Sequence, residues 1–249
     1  MKDDCIDRGS HVNGNRTLLD WKIADVNGDG ILDNVYLYGH VDEQLGNLAE
    51  NITLVIRDGR SNKITEISLI NNAGYNARLF LGDFNQDNIV DIMISADTGG
   101  SGGNGIFYIY SFRNNVLQEL LDVDQYNATY LFEVHYEDFY KVRVESRQLN
   151  VVFTIDISNK GADYLSQFYN QEGILKEPVI GGALAISALN PIITNNKSYN
   201  YDVLAFQRII GTVNVDTLGY VENLMTWNGD QFVSKWLSLL IAGEKLISS

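Results

Sequence analysis

Ile23-Ala24-Asp25-Val26-Asn27-Gly28-Asp29-Gly30-Ile31-Leu32-Asp33 and Leu81-Gly82-Asp83-Phe84-Asn85-Gln86-Asp87-Asn88-Ile89-Val90-Asp91 are two copies of one pattern, 58 residues apart. In a tight loop of this kind the first, third and fifth side chains turn to the inside. The sixth residue makes a left-handed turn, and the seventh carbonyl and ninth carboxylate complete a shell of oxygens. The ligands expected in the first loop are Asp25, Asn27, Asp29, the Ile31 carbonyl and Asp33, with Gly30 at the turn. In the second they are Asp83, Asn85, Asp87, the Ile89 carbonyl and Asp91, with Asn88 at the turn. Asn is the residue other than Gly that best tolerates positive φ. Three carboxylates per loop with oxygen donors throughout select Ca²⁺ over Zn²⁺ or copper. An EF-hand would place Glu at the twelfth position and continue as a helix, but Tyr36 and Ile94 stand there within strand-like runs.

Outward from these loops the apolar residues alternate or form short blocks, which is the texture of strands. The readable strands are 18–23, 34–38, 52–57, 63–69, 78–81, 92–95, 106–112, 130–136, 140–145, 151–157, 203–209, 220–227 and 231–236. Turn signals such as Asp58-Gly59, Arg113-Asn114-Asn115 and Asn228-Gly229-Asp230 separate them. Residues 163–169 read as one short helix. A decayed third copy of the loop runs from Thr194 through Asn196 and Ser198 to Asp202, and Glu137-Asp138-Phe139-Tyr140 is a short turn where a further copy would fall. About four units of roughly 55 residues, each with about four strands, mark radial repetition. The fold expected is therefore all-β, a β-propeller-like domain over 17–249 behind an N-terminal extension of 1–16. A β-sandwich with two calcium loops is the alternative.

Composition narrows the function classes. The chain has 249 residues, 45% hydrophobic, 20% charged, with only two prolines, enough to bury a full core. Against 18 basic side chains stand 32 acidic ones, a net charge of −14. That balance repels nucleic acid and anionic bilayers and attracts metal cations. No apolar run is long enough for a transmembrane segment, and the start Met1-Lys2-Asp3-Asp4-Cys5 is too acidic for a secretory signal. The single cysteine cannot form an internal disulfide.

The two acidic loops, each following a short strand and preceding an apolar one, resemble the calcium loops of FG-GAP or VCBS repeats. The chain is also similar to small VCBS-repeat proteins of Gram-positive bacteria in Asn51-Ile52-Thr53-Leu54-Val55-Ile56, Asp97-Thr98-Gly99-Gly100-Ser101-Gly102-Gly103 and Asp216-Thr217-Leu218-Gly219-Tyr220-Val221. The resemblance implies a propeller with structural calcium in its blade loops, in a surface or extracellular protein. It lacks the Phe-Gly and Gly-Ala-Pro signatures.

Signals for an enzyme are few. Asp97-Thr98-Gly99 matches half of an aspartic-protease pair, but no second Asp-Thr-Gly exists to share a proton with it. Gly99-Gly100-Ser101-Gly102-Gly103 fits G-x-S-x-G, yet it leads into a strand where a nucleophile elbow needs a helix. His11, His40 and His135 have no motif spacing. Tyr108, Tyr110, Tyr136 and Tyr140 form either a sugar- or peptide-binding face or ordinary core. The function expected is a calcium-binding, non-catalytic module with a protein or glycan partner. The alternative is a hydrolase near Asp97 and Ser101.

Overall fold

The computed structural model describes residues 16–195 and 200–243. Within them the apolar alternation produces four antiparallel sheets, each a meander in chain order, and none closes on itself. Sheet 1 holds β1 (Thr17–Ala24), β2 (Asp33–Asp42), β3 (Leu48–Arg57) and β4 (Ile64–Ser68). Sheet 2 holds β5 (Tyr75–Gly82), β6 (Asp91–Asp97), β7 (Gly105–Ser111) and the short β8 (Gln118–Glu119). After helix α1 (Val123–Thr129), sheet 3 holds β9 (Glu133–Glu137), β10 (Lys141–Ser146) and β11 (Val151–Asp156). Helix α2 (Ala162–Phe168) then leads to sheet 4, made of β12 (Gly182–Ile192), β13 (Asp202–Ile210), β14 (Thr217–Trp227) and β15 (Phe232–Leu240). The all-β expectation holds, with one correction: sheet 3 has three strands, not four, because the chain leaves β11 for α2.

Sheet 2 is buried on both faces, and the period of two in a strand explains how. Ile92, Ile94, Tyr108 and Tyr110 face a core shared with Val35, Leu37, Ile52, Leu54 and Ile56 of sheet 1. Their neighbours Met93, Phe107 and Ile109 face a second core with Val134, Val142 and Val144 of sheet 3 and Val203, Ala205, Ile209 and Val221 of sheet 4. The first strand of sheet 4, β12, touches both β7 and β9, while β5 packs on β1 and β3.

Three of these elements escaped sequence reading: the two-residue β8, the strand β12 and the helix α1. The strand β12 contains Pro191 and two register shifts against β13, so its apolar period is broken; as an edge strand it tolerates the proline. The helix α1 is a single short amphipathic piece whose start is capped by Asp122, the carboxylate accepting from Gln125 N. No helix among the described residues is long and apolar enough to cross a membrane.

Candidate functional site

Both acidic loops join the first strand of a sheet to its second, β1 to β2 and β5 to β6. Asp25 Oδ1 accepts from Gly28 N at 2.8 Å and its Oδ2 from Gly30 N at 2.8 Å. Asp83 repeats this with Gln86 N at 2.7 Å and Asn88 N at 3.0 Å. Asn27 Oδ1 accepts from Asp29 N and Asn85 Oδ1 from Asp87 N. Asp29 and Asp87 in turn hold the amides of Ile31 and Ile89. The backbone that permits these bonds is left-handed at the fourth and sixth positions, Gly28 (φ 80°) and Gly30 (φ 84°) in one loop, Gln86 (φ 65°) and Asn88 (φ 65°) in the other.

The ninth positions are fully buried, and here the loops diverge. Asp33 accepts from Val26 N at 3.0 Å and from Gly59 N, in the β3–β4 turn, at 2.9 Å. A Cβ on Gly59 would lie 2.0 Å from the Leu32 carbonyl oxygen, so glycine is what lets that turn reach Asp33. Burial raises the Asp33 carboxyl pKa against the opposing pull of these N–H groups. Asp91 uses only Oδ2, which accepts from Phe84 N and Asn85 N. Its Oδ1 is buried without a hydrogen bond of ordinary geometry, beside the Ser111 hydroxyl, and burial pushes its pKa up to about 7.

A cation already stands at each fifth position. Arg60 Nε donates to Asp29 Oδ2 at 2.6 Å, and an Arg113 guanidinium nitrogen donates to Asp87 Oδ2 at 3.3 Å. Both arginines come from the turn between the third and fourth strands of the same sheet. The carboxylates of each loop are not all gathered within 4.8 Å of one another. Among the described residues that span is met by Glu133, His135 and Glu145 on β9 and β10, with Arg143 and Arg147 paired to the two glutamates. The loop donors are hard oxygens turned inward, held apart from one another by the backbone amides and the arginines that they already engage.

The loops are neighbours. A Cβ on Gly28 would fall 2.5 Å from Ile89 Cδ1, and Asn114 N donates to the Asn27 carbonyl at 2.9 Å. The decayed third loop touches the second, Tyr201 N donating to the Asp83 carbonyl at 2.7 Å. Within it the Thr194 hydroxyl donates to Asp202, while Asn196 and Ser198 lie outside the described residues, as do Cys5, His11 and the extension before Arg16. The predicted turn at Glu137–Tyr140 is a hairpin with Phe139 and Tyr140 both at positive φ and carries no ligand loop.

The other candidates are resolved by packing. Tyr108, Tyr110 and Tyr136 are buried and form core, so there is no four-tyrosine binding face. Asp97 Oδ2 accepts from Asn76 at 2.9 Å, and Ser101 Oγ accepts from Asn214 at 3.4 Å. Arg208 fastens the glycine loop to sheet 4 through the Ser101 and Gly102 carbonyls. A cluster invisible in sequence joins sheets 3 and 4: Lys160 Nζ lies 2.7 Å from Asp216 Oδ1, Tyr164 donates to Asp216 Oδ2 at 2.5 Å, and the Tyr136 and Tyr164 hydroxyls meet at 2.6 Å.

Comparison with known proteins places the chain in a family. A family model described as the YybI C-terminal domain matches residues 130–240, which are sheets 3 and 4. The Uncharacterized protein YybI of Bacillus subtilis (strain 168) is 40% identical over 224 residues, covering 90% of this chain and 84% of that protein. The chain belongs to the YybI family. In this family member the family-model match contains the Lys160–Asp216–Tyr164 cluster, whereas both acidic loops lie before it. No solved structure matches.

Proposed function

We propose that the chain is a non-catalytic, β-propeller-like binding module of the VCBS type, stiffened by Ca²⁺ in its first two loops and displayed outside the cytoplasm, where calcium is millimolar. The observation that carries this reading is the equivalence of the loops. At the first, third, fifth and sixth positions the two loops share their side-chain-to-backbone hydrogen bonds and left-handed turns, and the ninth carboxylates, Asp33 and Asp91, differ in their partners. Surface turns under no common constraint would not be expected to match this closely. The radial element of the reading is supported by the sequential meanders and by the contacts of first strands, β1 with β5 and β9 with β12. Each ion would cross-brace its loop and stabilise the native state by preferential binding. The buried Asp91 Oδ1 is an oxygen with ligand capacity to spare. A hydrolytic reading of Asp97 and Ser101 has no comparable support, since their partners Asn76 and Asn214 are amides and cannot take a proton.

Thermal melting in EDTA, in Ca²⁺ and in Mg²⁺ tests the calcium reading. Ca²⁺ at 100-fold over its dissociation constant would add about 2.7 kcal/mol per loop, and Asp29→Ala and Asp87→Ala should each remove part of that gain. A wild-type midpoint that is the same in EDTA and in millimolar Ca²⁺ would rule structural calcium out.

A further inference from the structure

At the junction of sheets 1 and 2, away from the acidic loops, lies an open cavity of about 400 Å³ lined by Gly46, Asn47, Tyr75, Asn76, Asp97 and Gly99. We propose that this cavity binds a neutral saccharide. Its size falls within the range of small-molecule sites. Its lining holds one aromatic ring, two carboxamides and one carboxylate, with no cationic and no aliphatic side chain. A sugar presents an apolar C–H face that suits an aromatic ring, and arrays of hydroxyls that both donate and accept. Amides and a carboxylate offer both complements.

Other ligand chemistries fit less well. An anion would meet Asp97 and a chain of net charge −14. An apolar molecule would cut two amides and a carboxylate off from water. A metal ion would find one carboxylate, Asp97, already engaged by Asn76 at 2.9 Å.

Gly46 (φ 70°), which closes the short 3-10 turn Glu43–Leu45, Asn47 (φ 65°), Asn76 (φ 52°) and Gly99 (φ 74°) are left-handed, which turns the chain sharply around the cavity. The β5–β6 register shifts between Tyr75 and Arg78, a bulge that re-aims Asn76. The Tyr75 ring is fixed at both ends: its hydroxyl donates to the Leu45 carbonyl at 3.1 Å, and a Cβ on Gly99 would lie 2.3 Å from its ring. A ring held by its hydroxyl and an Asn76 amide held by Asp97 reduce the entropy lost on binding.

The inference rests on reading the chain as a binding module and does not require calcium in the loops. Saturation-transfer-difference NMR on the full chain, once in EDTA and once in Ca²⁺, would use maltotriose, cellotriose and tri-N-acetylchitotriose as neutral probes and trigalacturonate as the anionic one. At least one neutral probe should bind, with trigalacturonate silent. Asp97→Ala should weaken binding about tenfold, the equivalent of about 1.4 kcal/mol, with Asp97→Asn intermediate, and Asp97 is exposed enough for both variants to keep the wild-type melting midpoint. Silence of all three neutral probes, binding of trigalacturonate alone, or undiminished binding in folded Asp97→Ala would each overturn the inference. A calcium-raised midpoint without sugar binding would sink this inference alone, and sugar binding with a calcium-indifferent midpoint would sink only the calcium reading.

Discussion

Arg60 reaches across from the β3–β4 turn to place its Nε 2.6 Å from Asp29 Oδ2, putting a positive charge against the fifth position of the first loop. Three loop carboxylates close together repel one another, and a guanidinium relieves that repulsion when no metal is present. Arg113 does the same for Asp87 at 3.3 Å.

On the calcium reading proposed above, the arginine would compete with the ion for Asp29. In Arg60→Ala the calcium-free protein should melt slightly below wild type, while the increment that Ca²⁺ adds should grow, because Asp29 no longer has to leave a partner. Arg113→Ala should behave alike at the second loop. Midpoints measured across a calcium titration would decide it; an increment that shrinks in both variants would show the arginines to be supports for the bound ion and not substitutes for it.

Asp91 makes the second loop sensitive to pH. With its folded pKa near 7 against 3.8 for the ordinary carboxyl, the folded chain holds the proton more tightly than the unfolded one. Stability without calcium must then fall as pH rises from about 4 to 7. Between pH 5 and 7 this one group accounts for about 2 kcal/mol. Denaturant titrations in EDTA should show Asp91→Asn losing that slope, and Asp91→Asn gaining on wild type as pH rises. Equal slopes in the two proteins would mean that the Asp91 carboxylate is not strained by its burial. Calcium should reverse the wild-type trend, since an ion favours the ionised form.

The Lys160–Asp216–Tyr164 cluster is the polar fastening between α2 and the β13–β14 hairpin. Asp216→Ala leaves Tyr164 and Lys160 without their acceptor and should cost about 2–4 kcal/mol, a fall of about 5–15 °C for a chain of this size. Burial, with Asp216 and Tyr136 adding to it, raises the Tyr164 phenol pKa, and Tyr169 is pushed up to about 12. Phenols held neutral in the fold but free to ionise at about pH 10 when unfolded destabilise the protein as pH passes that value. Phenolate absorbance should consequently rise together with loss of β circular dichroism, between about pH 10 and 12. Early ionisation at full native signal would show these hydroxyls to be open to solvent.

How far the sequence reaches can be judged from single residues. Asp25, Asn27 and Asp29 announce a tight loop because their spacing forces alternate side chains inward, and the structure repeats that geometry at Asp83, Asn85 and Asp87. The strand at Ile92–Ser95 is readable as a buried run, but its division between two cores is not, since a continuous apolar block does not say which neighbour each face meets. The strand β12 was missed because its two register shifts and Pro191 erase the alternation on which recognition depends. The residues Asn47, Tyr75 and Asp97, which line one cavity, are too far apart in the chain for any motif to join them.

Local chemistry, which acts over a few residues, was legible in the sequence alone: the four strands of sheet 1, the first three of sheet 2 and the two oxygen-rich loops. Tertiary structure decided everything that depends on residues distant in sequence. It set Arg60 against Asp29, brought Gly59 to Asp33, buried Asp91 and tied Tyr164 to Asp216. Such pairings follow from how sheets stack. Stacking depends on the summed burial of many side chains, so no short stretch of sequence records it.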